Sequence, residues 1–295
     1  MLEAILDAPG VAVMLGAVDV GKTTTATAMA GAAVLAMRRT AVVDTDVGQS
    51  EIGPPTTVGL AAPTRPAKQM GEWGALSAFF VGDTSPRDVY PYVIEGAVRS
   101  VERARARGAE VIMTDTTGWV EGPAAVAAKT RKLRRIDPQH VVAIQRGSEV
   151  EPILDRLPRS IIVHRLRPSS RVSPRSRVLR SAARAGRFRR YFAGAHLHTV
   201  ALDALPSDRL PVYAGQEVPH ARVLAVIPGW QLNHLLVGLA DREGWLRAVG
   251  TVVGTAPARR EVTIAAPICS LAGVSALQWG ALRVGPNGAE EGRLG

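Results

Sequence analysis

An eight-residue segment near the start of the chain matches the Walker A phosphate-binding pattern at every position: Gly16-Ala17-Val18-Asp19-Val20-Gly21-Lys22-Thr23. In that pattern the glycines let backbone N–H groups face phosphate oxygens, the lysine contacts the β- and γ-phosphates, and the final hydroxyl binds Mg²⁺. An apolar run precedes the segment and a helix-forming one follows, so a positive helix end would also face the phosphates. The predicted nucleotide-binding residues are Gly16, Asp19, Val20, Gly21, Lys22, Thr23 and Thr24.

Three carboxylates follow two further apolar runs that have the character of buried strands. Asp44 and Asp46 come directly after Ala41–Val43, and Asp115 follows Val111–Met113. Because parallel sheets place their chemistry at the carboxyl ends of strands, Asp115 is a candidate Walker B carboxylate, with a simple strand-end cap as the alternative. The same Asp-x-x-Gly spacing occurs in GTPases, but the chain has no Asn-Lys-x-Asp segment that would read guanine.

The positive charge of the chain is concentrated in one segment. Twelve arginines, no lysine and no acidic residue lie between Arg156 and Arg190, although the net charge of the whole chain is only +10. Arginine forks suit phosphate oxygens better than lysine does, which favours a polyanionic ligand over a merely solvated basic surface. If residues 177–192 form a helix, one stripe carries four like charges, so we expect an anion opposite it. These residues are Arg177, Arg180, Arg184 and Arg187.

Composition limits the compartment and the class of site. A single cysteine, Cys269, excludes an intramolecular disulfide framework and fits a reducing compartment. The first apolar run is far shorter than the ~20 residues of a membrane span, and acidic residues lie where a signal peptide would be basic. We therefore expect a cytoplasmic protein without membrane contact. The six histidines show no metal-ligand spacing.

The order of these segments predicts an α/β fold, with a P-loop NTPase parallel sheet flanked by helices. After Tyr191 the segments become short and β-prone. We therefore predict a P-loop domain at residues 1–194, including an arginine-rich lid at about residues 165–192. A small β-rich C-terminal domain is expected at residues 195–295, and residues 285–295 are expected to be frayed.

Five segments share motifs with one enzyme family. They are the P-loop, Val43–Pro55 (VDTDVGQSEIGPP), Phe80–Pro86, Thr116–Val120 (TTGWV) and the arginine-rich segment that closes on Arg189–Gly194 (RRYFAG). These segments resemble the polynucleotide 5′-hydroxyl kinases that act in mRNA cleavage, tRNA splicing and pre-rRNA processing. The resemblance extends from Gly16 to about Val284 and implies the cofactors ATP and Mg²⁺. Where the family often has Asn before Thr-x-Gly-Trp, this chain has Asp115.

The resemblance also implies roles for individual residues. Asp46 would be the general base that takes the proton of the attacking 5′-hydroxyl. The further catalytic residues would be Lys22, Arg180 and Arg184. The metal would be bound by Thr23 and supported by Asp44, and Asp115, where the family often has Asn, could bind it more directly. The substrate would be contacted by Gln49, Thr84, Trp119 and Arg175.

Several alternatives remain open at the level of sequence. Trp119 has core packing as its other interpretation, and Gln49 has the bracing of the Pro54-Pro55 turn. The expected substrate is the 5′-OH end of RNA, with single-stranded DNA as the alternative, and protein partners are left open. A catalytically weak ATP-binding RNA-processing scaffold and a P-loop GTPase are the competing functions. A small-molecule kinase ranks last because it would not need twelve arginines.

Overall fold

The computed structural model of the protein describes all 295 residues. The eight helices are α1 (Leu2–Asp7), α2 (Lys22–Leu35), α3 (Pro86–Ala106), α4 (Pro123–Ile136), α5 (Glu151–Leu154), α6 (Arg177–Tyr191), α7 (Val223–Val226) and α8 (Gly229–Leu232). None of them is both long enough and apolar enough to cross a membrane. The packing of the chain separates two compact units.

The first unit contains Met1–Gly53, Thr57–Ala78 and Ser85–Ser176. Its seven-stranded sheet has the order β4-β3-β2-β5-β1-β6-β7. The strands are β1 (Val11–Leu15), β2 (Thr40–Thr45), β3 (Thr57–Ala61), β4 (Ser77–Phe80), β5 (Val111–Thr116), β6 (His140–Ile144) and β7 (Ile162–Leu166). Strands β2, β5, β1, β6 and β7 run parallel, and β3 is antiparallel to β2. Their carboxyl ends therefore meet at one edge of the sheet.

Local sequence explains where the helices of this unit begin and end. Gly21 adopts φ +93°, a left-handed conformation that suits glycine and turns the chain from the loop into α2. Helices α3 and α4 both have proline in the first turn, where the missing N–H costs nothing. Helix α3 stops before Gly108, which has φ +79°.

The second unit contains Pro54–Thr56, Phe79–Thr84 and Arg177–Gly295. Its main sheet has the order β16-β15-β12-β13-β14-β8, all antiparallel, with β9 pairing to β15. The strands are β8 (His196–Ala201), β9 (Ser207–Arg209), β10 (Val212–Tyr213), β11 (Gln216–Glu217), β12 (Leu235–Ala240), β13 (Leu246–Ala256), β14 (Glu261–Ala266), β15 (Ala276–Val284) and β16 (Glu290–Arg293). The expectation of frayed residues 285–295 is wrong, because β16 pairs with β15 and Leu294 is buried.

The carboxyl half of α6 packs within the second unit. Phe188 is fully buried in a cluster with Phe80 and Leu282, and the Tyr191 hydroxyl accepts a hydrogen bond from Val249 N at 2.8 Å. The turn at Gly288 approaches α6 so closely that a Cβ there would lie 2.2 Å from the Ala185 carbonyl oxygen. The sequence places this helix in the P-loop domain as a lid, whereas its packing groups it with the second unit.

Candidate phosphoryl-transfer site

The segment from Gly16 to Lys22 forms a tight loop between β1 and α2. A Cβ on Gly16 would lie 2.3 Å from the Ile144 carbonyl oxygen, so no side chain fits there. Asp19 and Gly21 both have positive φ, at 53° and 93°, which turns the backbone of the loop. Val20 points its side chain into the core, so it can offer a phosphate only its backbone N–H. Thr24 is exposed one position beyond Thr23.

Lys22 and Thr23 begin α2 and face the carboxylates at the strand ends. The Lys22 ammonium group is largely buried and donates a hydrogen bond to the Ala17 carbonyl oxygen at 2.6 Å. Burial lowers the pKa of Lys22, while the negative charges of Asp115 and Asp46 oppose that shift. The Thr23 hydroxyl donates to a carboxylate oxygen of Asp115. These contacts connect the loop to the ends of β2 and β5.

Asp115 lies at the end of β5, opposite Asp44 in the parallel pairing of β5 with β2. Burial raises the pKa of Asp115 to about 6, against the opposing effects of Lys22 and the Thr23 hydroxyl. No three His, Cys, Asp or Glu side chains cluster in a geometry that could hold a metal ion by themselves. The available donors are a hydroxyl and carboxylate oxygens, which suit a hard cation that also keeps water and phosphate ligands.

Asp44 fixes the loop that follows β2. One of its carboxylate oxygens accepts hydrogen bonds from the N–H groups of Glu51 and Ile52 at 2.6 and 3.1 Å. The other accepts from Asp46 N at 3.0 Å. Burial and the neighbouring Asp115 raise the pKa of Asp44 to about 8, and the backbone N–H groups partly offset this. Asp44 therefore shapes the segment that carries Asp46 and Gln49.

Asp46 begins a tight turn. One carboxylate oxygen accepts hydrogen bonds from Gly48 N and Gln49 N, both at 3.2 Å, and the other accepts none from the protein. The side chain is half-buried and interacts electrostatically with Lys22. The Gln49 side-chain amide donates to the Gly48 carbonyl oxygen at 2.8 Å. Asp46 thus combines a fixed orientation with an oxygen that can take a proton.

Trp119 follows β5 after a glycine that contacts the phosphate-binding loop. A Cβ on Gly118 would lie 2.6 Å from Val18 N, so only glycine allows this approach. The half-buried Trp119 ring meets Tyr90 edge to face at 5.6 Å between centroids. The Arg87 guanidinium lies 5.5 Å from the Trp119 ring centroid. Packing against α3 therefore holds the tryptophan without burying it fully.

Two arginines hydrogen-bond to the phosphate-binding loop, Arg175 through its backbone N–H and Arg146 through its guanidinium group. Arg175 N donates to the Asp19 carboxylate at 2.9 Å, so the residues just before α6 lie against the loop. The Arg146 guanidinium donates to the carbonyl oxygens of Asp19 and Val18 at 2.5 and 3.4 Å. Arg146 is absent from the residues selected by sequence, because it follows β6 outside every recognised motif. The sequence feature that could have identified Arg146 is its position just after a predicted buried strand.

Comparison with known proteins agrees with a phosphate-binding loop at this position. A family model described as the mRNA cleavage and polyadenylation factor CLP1 P-loop matches residues 16–194. The chain belongs to this family. It is 30% identical to the polyribonucleotide 5′-hydroxyl-kinase of Thermococcus kodakarensis, over 100% of this chain and 94% of that protein. It is 25% identical to the polyribonucleotide 5′-hydroxyl-kinase of Pyrococcus horikoshii, over 98% of this chain and 90% of that protein.

Solved structures give the same answer for the fold. The structure of the wild-type Clp1p–Pcf11p complex has a TM-score of 0.69 and covers 96% of this chain and 77% of its counterpart, at 14% identity. The predicted family resemblance and the predicted fold class, an α/β P-loop sheet with a small β-rich domain, are both confirmed. A protein of this family uses a nucleotide, and residues 16–23 of this chain have the P-loop sequence pattern.

The remaining predicted site residues lie in the second unit. Arg184 of α6 donates from Nε to the Glu290 carboxylate at 2.6 Å, and the Thr84 hydroxyl donates to the same oxygen at 3.0 Å. Glu290 belongs to β16 and pairs with Arg184 of the arginine stripe, while the polyanionic ligand expected opposite the stripe remains a prediction. Arg180 lies one turn earlier on α6 and is half-buried. Thr84 and Arg184 are therefore brought together by a glutamate that sequence reasoning did not select.

Two buried lysines on α4 also escaped sequence reasoning. Lys129 and Lys132 are both completely inaccessible to solvent. Burial lowers the pKa of Lys129, and it lowers the pKa of Lys132 to about 7, with Asp115 and Asp46 opposing the shift of Lys132. The available signal was their spacing of three residues on the same helical face as Leu133 and Ile136, both of which are buried.

Proposed function

We propose that the protein is an ATP-dependent polynucleotide kinase that transfers the γ-phosphate of ATP to the 5′-hydroxyl end of RNA. The observation that carries this proposal is the meeting of Lys22, Thr23, Asp46 and Asp115 at the carboxyl edge of the parallel sheet. Full-length relatives named polyribonucleotide 5′-hydroxyl-kinase support the choice of acceptor.

The chemistry follows from the positions of these groups. The 5′-hydroxyl oxygen forms a bond to the γ-phosphorus, the bond from that phosphorus to the β,γ-bridging oxygen breaks, and ADP leaves. Asp46 takes the hydroxyl proton on the carboxylate oxygen that accepts no protein hydrogen bond. Lys22 and the N–H groups of the loop offset the negative charge of the transferring group.

The oxygen donors near the loop fit a magnesium ion bound together with the nucleotide. Thr23 and Asp115 would hold it, and Asp44 would support it from the neighbouring strand end. When bound, Mg²⁺ supplies charge neutralisation on the phosphate oxygens. The protein itself aligns the acceptor.

On the acceptor side, the Trp119 ring offers a face for the terminal base, with Arg87 beside it. Stacking of this kind is worth about 1–3 kcal/mol per base and needs no sequence readout. Arginine-rich α6, with Arg180 and Arg184, offers positive charge for the phosphates of a bound polynucleotide.

The test is transfer of label from γ-labelled ATP to a 5′-OH RNA oligonucleotide in the presence of Mg²⁺. A matched RNA with a 5′-phosphate is the negative control, and parallel reactions use 5′-OH DNA and labelled GTP. Label on the 5′-OH RNA alone supports the proposal. ATP binding without transfer to any strand would favour the scaffold function, and a strong preference for GTP would favour a GTPase.

A further inference from the structure

Lys129 and Lys132 are buried beneath the carboxylate site without a carboxylate hydrogen-bond partner. Both side chains have no solvent exposure, and neither ammonium group is among the ion pairs of the structure. Placing a charged ammonium group in the interior is costly unless nearby charges and hydrogen bonds compensate for the lost water. The burial of two such groups, three residues apart on one helix, therefore requires a structural or functional explanation.

Lys129 holds the turn that leads from β5 to Trp119. Its ammonium group donates to the Thr117 carbonyl oxygen at 2.6 Å, the Thr117 hydroxyl at 3.0 Å and the Thr116 hydroxyl at 3.1 Å. The Thr116 hydroxyl in turn donates to the Met14 carbonyl oxygen at 2.8 Å, at the end of β1. All three donor positions of Lys129 are used on one turn. Its contacts thus define the conformation of the chain just before Gly118.

Lys132 holds the end of β2 in a similar way. Its ammonium group donates to the Thr45 hydroxyl at 2.8 Å. That hydroxyl donates to the Asp115 carbonyl oxygen at 2.7 Å. Thr45 stands between Asp44 and Asp46, so this chain of bonds joins α4 to both strand ends that carry the carboxylates. A shift of Lys132 would move the backbone of the proposed general base.

Lysines and carboxylates of opposite charge lie close together in this region. Lys132 interacts electrostatically with Asp44, Asp46 and Asp115. The lysines are Lys22, Lys129 and Lys132. Lys22 lies on the loop side of the carboxylates, whereas the α4 lysines reach them from beneath the strand ends. The α4 lysines are too deeply buried to touch ATP or RNA, so they must act through the groups that they hold.

We infer that Lys129 and Lys132 are positioning residues for phosphoryl transfer, which set the strand ends bearing Asp46 and Trp119 and balance the charge of the carboxylates from below. This inference rests on the proposed kinase function. It assigns Lys132 to the alignment of the general base and Lys129 to the alignment of the acceptor turn.

The test compares Lys132→Met and Lys129→Met, which remove the charge and keep most of the volume. Lys132→Met is expected to lower kcat for RNA phosphorylation by about 10²-fold, the size of effect caused by a misplaced reacting group. The KM for ATP should change by less than about twofold, because the loop contacts are unchanged. Lys129→Met is expected to act mainly on the KM for RNA.

The matched control is Thr130→Val on the same helix. The Thr130 hydroxyl is buried and has no hydrogen-bond partner, so its loss should change neither kcat nor the melting temperature. Thr45→Val provides a second route to the same contact, since it removes the hydroxyl that Lys132 binds and leaves the lysine in place. This variant keeps the inference testable if Lys132→Met does not fold.

Charge balance has its own readout, which does not depend on catalysis. In metal-free buffer, the loss of melting temperature caused by Lys132→Met should be smaller in an Asp115→Asn background, because one negative charge is also removed. Equal losses in both backgrounds would contradict the charge balance. Wild-type rates in both Lys132→Met and Thr45→Val would overturn the positioning role. Absence of transfer by the wild-type protein would instead refute the kinase proposal, and the melting measurements would still decide the charge balance.

Discussion

The strand-end cluster of the first unit and helix α6 of the second unit carry charge in opposite ways. In the strand-end cluster, Asp44, Asp115 and Lys132 are buried, and neighbouring charges and backbone groups compensate for them. On α6 three of the six arginines are exposed and three are half-buried, and Arg184 is paired with the half-buried Glu290. In the proposed function, the first arrangement would fix reacting groups in place, whereas the second would offer charge to a ligand at the surface.

The difference matters for the size of mutational effects. Buried charges that lose a partner are strongly destabilised, because water cannot take over the lost interaction. Partly exposed ion pairs contribute little, because solvent screens them. Substitutions in the strand-end cluster should therefore change rates and stability strongly, and substitutions around α6 should change binding and its salt dependence modestly.

The largest effect is expected for Asp46→Asn. The amide cannot take the proton of the 5′-hydroxyl, so kcat should fall by about 10²–10⁴-fold, the usual contribution of a general base. The affinity for ATP, measured by calorimetry, should stay close to that of the wild-type protein, because the loop contacts do not involve this oxygen. Asp7→Asn, at an exposed position on α1, is the control. A wild-type rate in Asp46→Asn would remove Asp46 from the mechanism.

The strand-end cluster was predicted from the sequence only in part. The glycine spacing and the acidic residues after apolar runs identified Lys22, Asp44 and Asp115, because strand ends in a parallel sheet share one edge. Lys129 and Lys132 were missed, because lysine spacing on an amphipathic helix normally indicates a solvated face. The burial of these lysines depends on how α4 packs over the strand ends, and this packing cannot be predicted from the sequence of α4 alone.

The second unit was predictable as β-rich, but the hydrogen bonds of Arg184 and Thr84 to Glu290 were not. The short β-prone segments indicated a small β-rich unit, and the arginine stripe indicated a polyanionic ligand opposite α6. The contact of Arg184 with Glu290 depends on a strand formed by residues 290–293, which were expected to be frayed. Pairing with β15 through a short turn orders residues 290–293. The sequence of these residues alone does not indicate that pairing.

The next effect concerns the pH dependence of stability in metal-free buffer. Because burial and Asp115 raise the pKa of Asp44 to about 8, the folded protein binds this proton more tightly than the unfolded chain does. The resulting stabilisation is complete below the ordinary pKa of Asp44, 3.8, and is lost as the pH rises towards about 8. Asp44→Asn removes this titration, so the wild-type melting temperature should fall relative to the variant over that range.

The size and the control of this measurement follow from the same linkage. A difference of one pKa unit corresponds to about 1.4 kcal/mol of stability. In a domain of this size, about 1 kcal/mol shifts the melting temperature by about 2–4 °C. Asp155→Asn, at an exposed position, should show no such divergence from the wild-type protein. Parallel curves for wild type and Asp44→Asn would mean that the three backbone N–H groups keep Asp44 ionised in the folded protein.

The smallest effect is expected for Glu290→Gln on the arginine helix. Arg184 would lose its opposing charge, and its guanidinium would become more available to RNA phosphates. A solvent-screened ion pair is worth up to about 1 kcal/mol, and on this scale RNA should bind up to about fivefold more tightly at low salt. The slope of log affinity against log salt should steepen by about 0.7 for a single strand, the value for one additional phosphate contact.

Glu291→Gln is a closely matched control for this variant. Glu291 is the next residue, and its carboxylate pairs with His234 at 2.8 Å and with Arg283 at 3.7 Å rather than with α6. It should therefore leave RNA affinity and the salt slope unchanged. Weaker RNA binding by Glu290→Gln would mean that the glutamate positions Arg184 for the ligand instead of competing with it. In that case α6 would resemble the strand-end cluster, because a half-buried partner would hold its charged side chain in the orientation that binds the ligand.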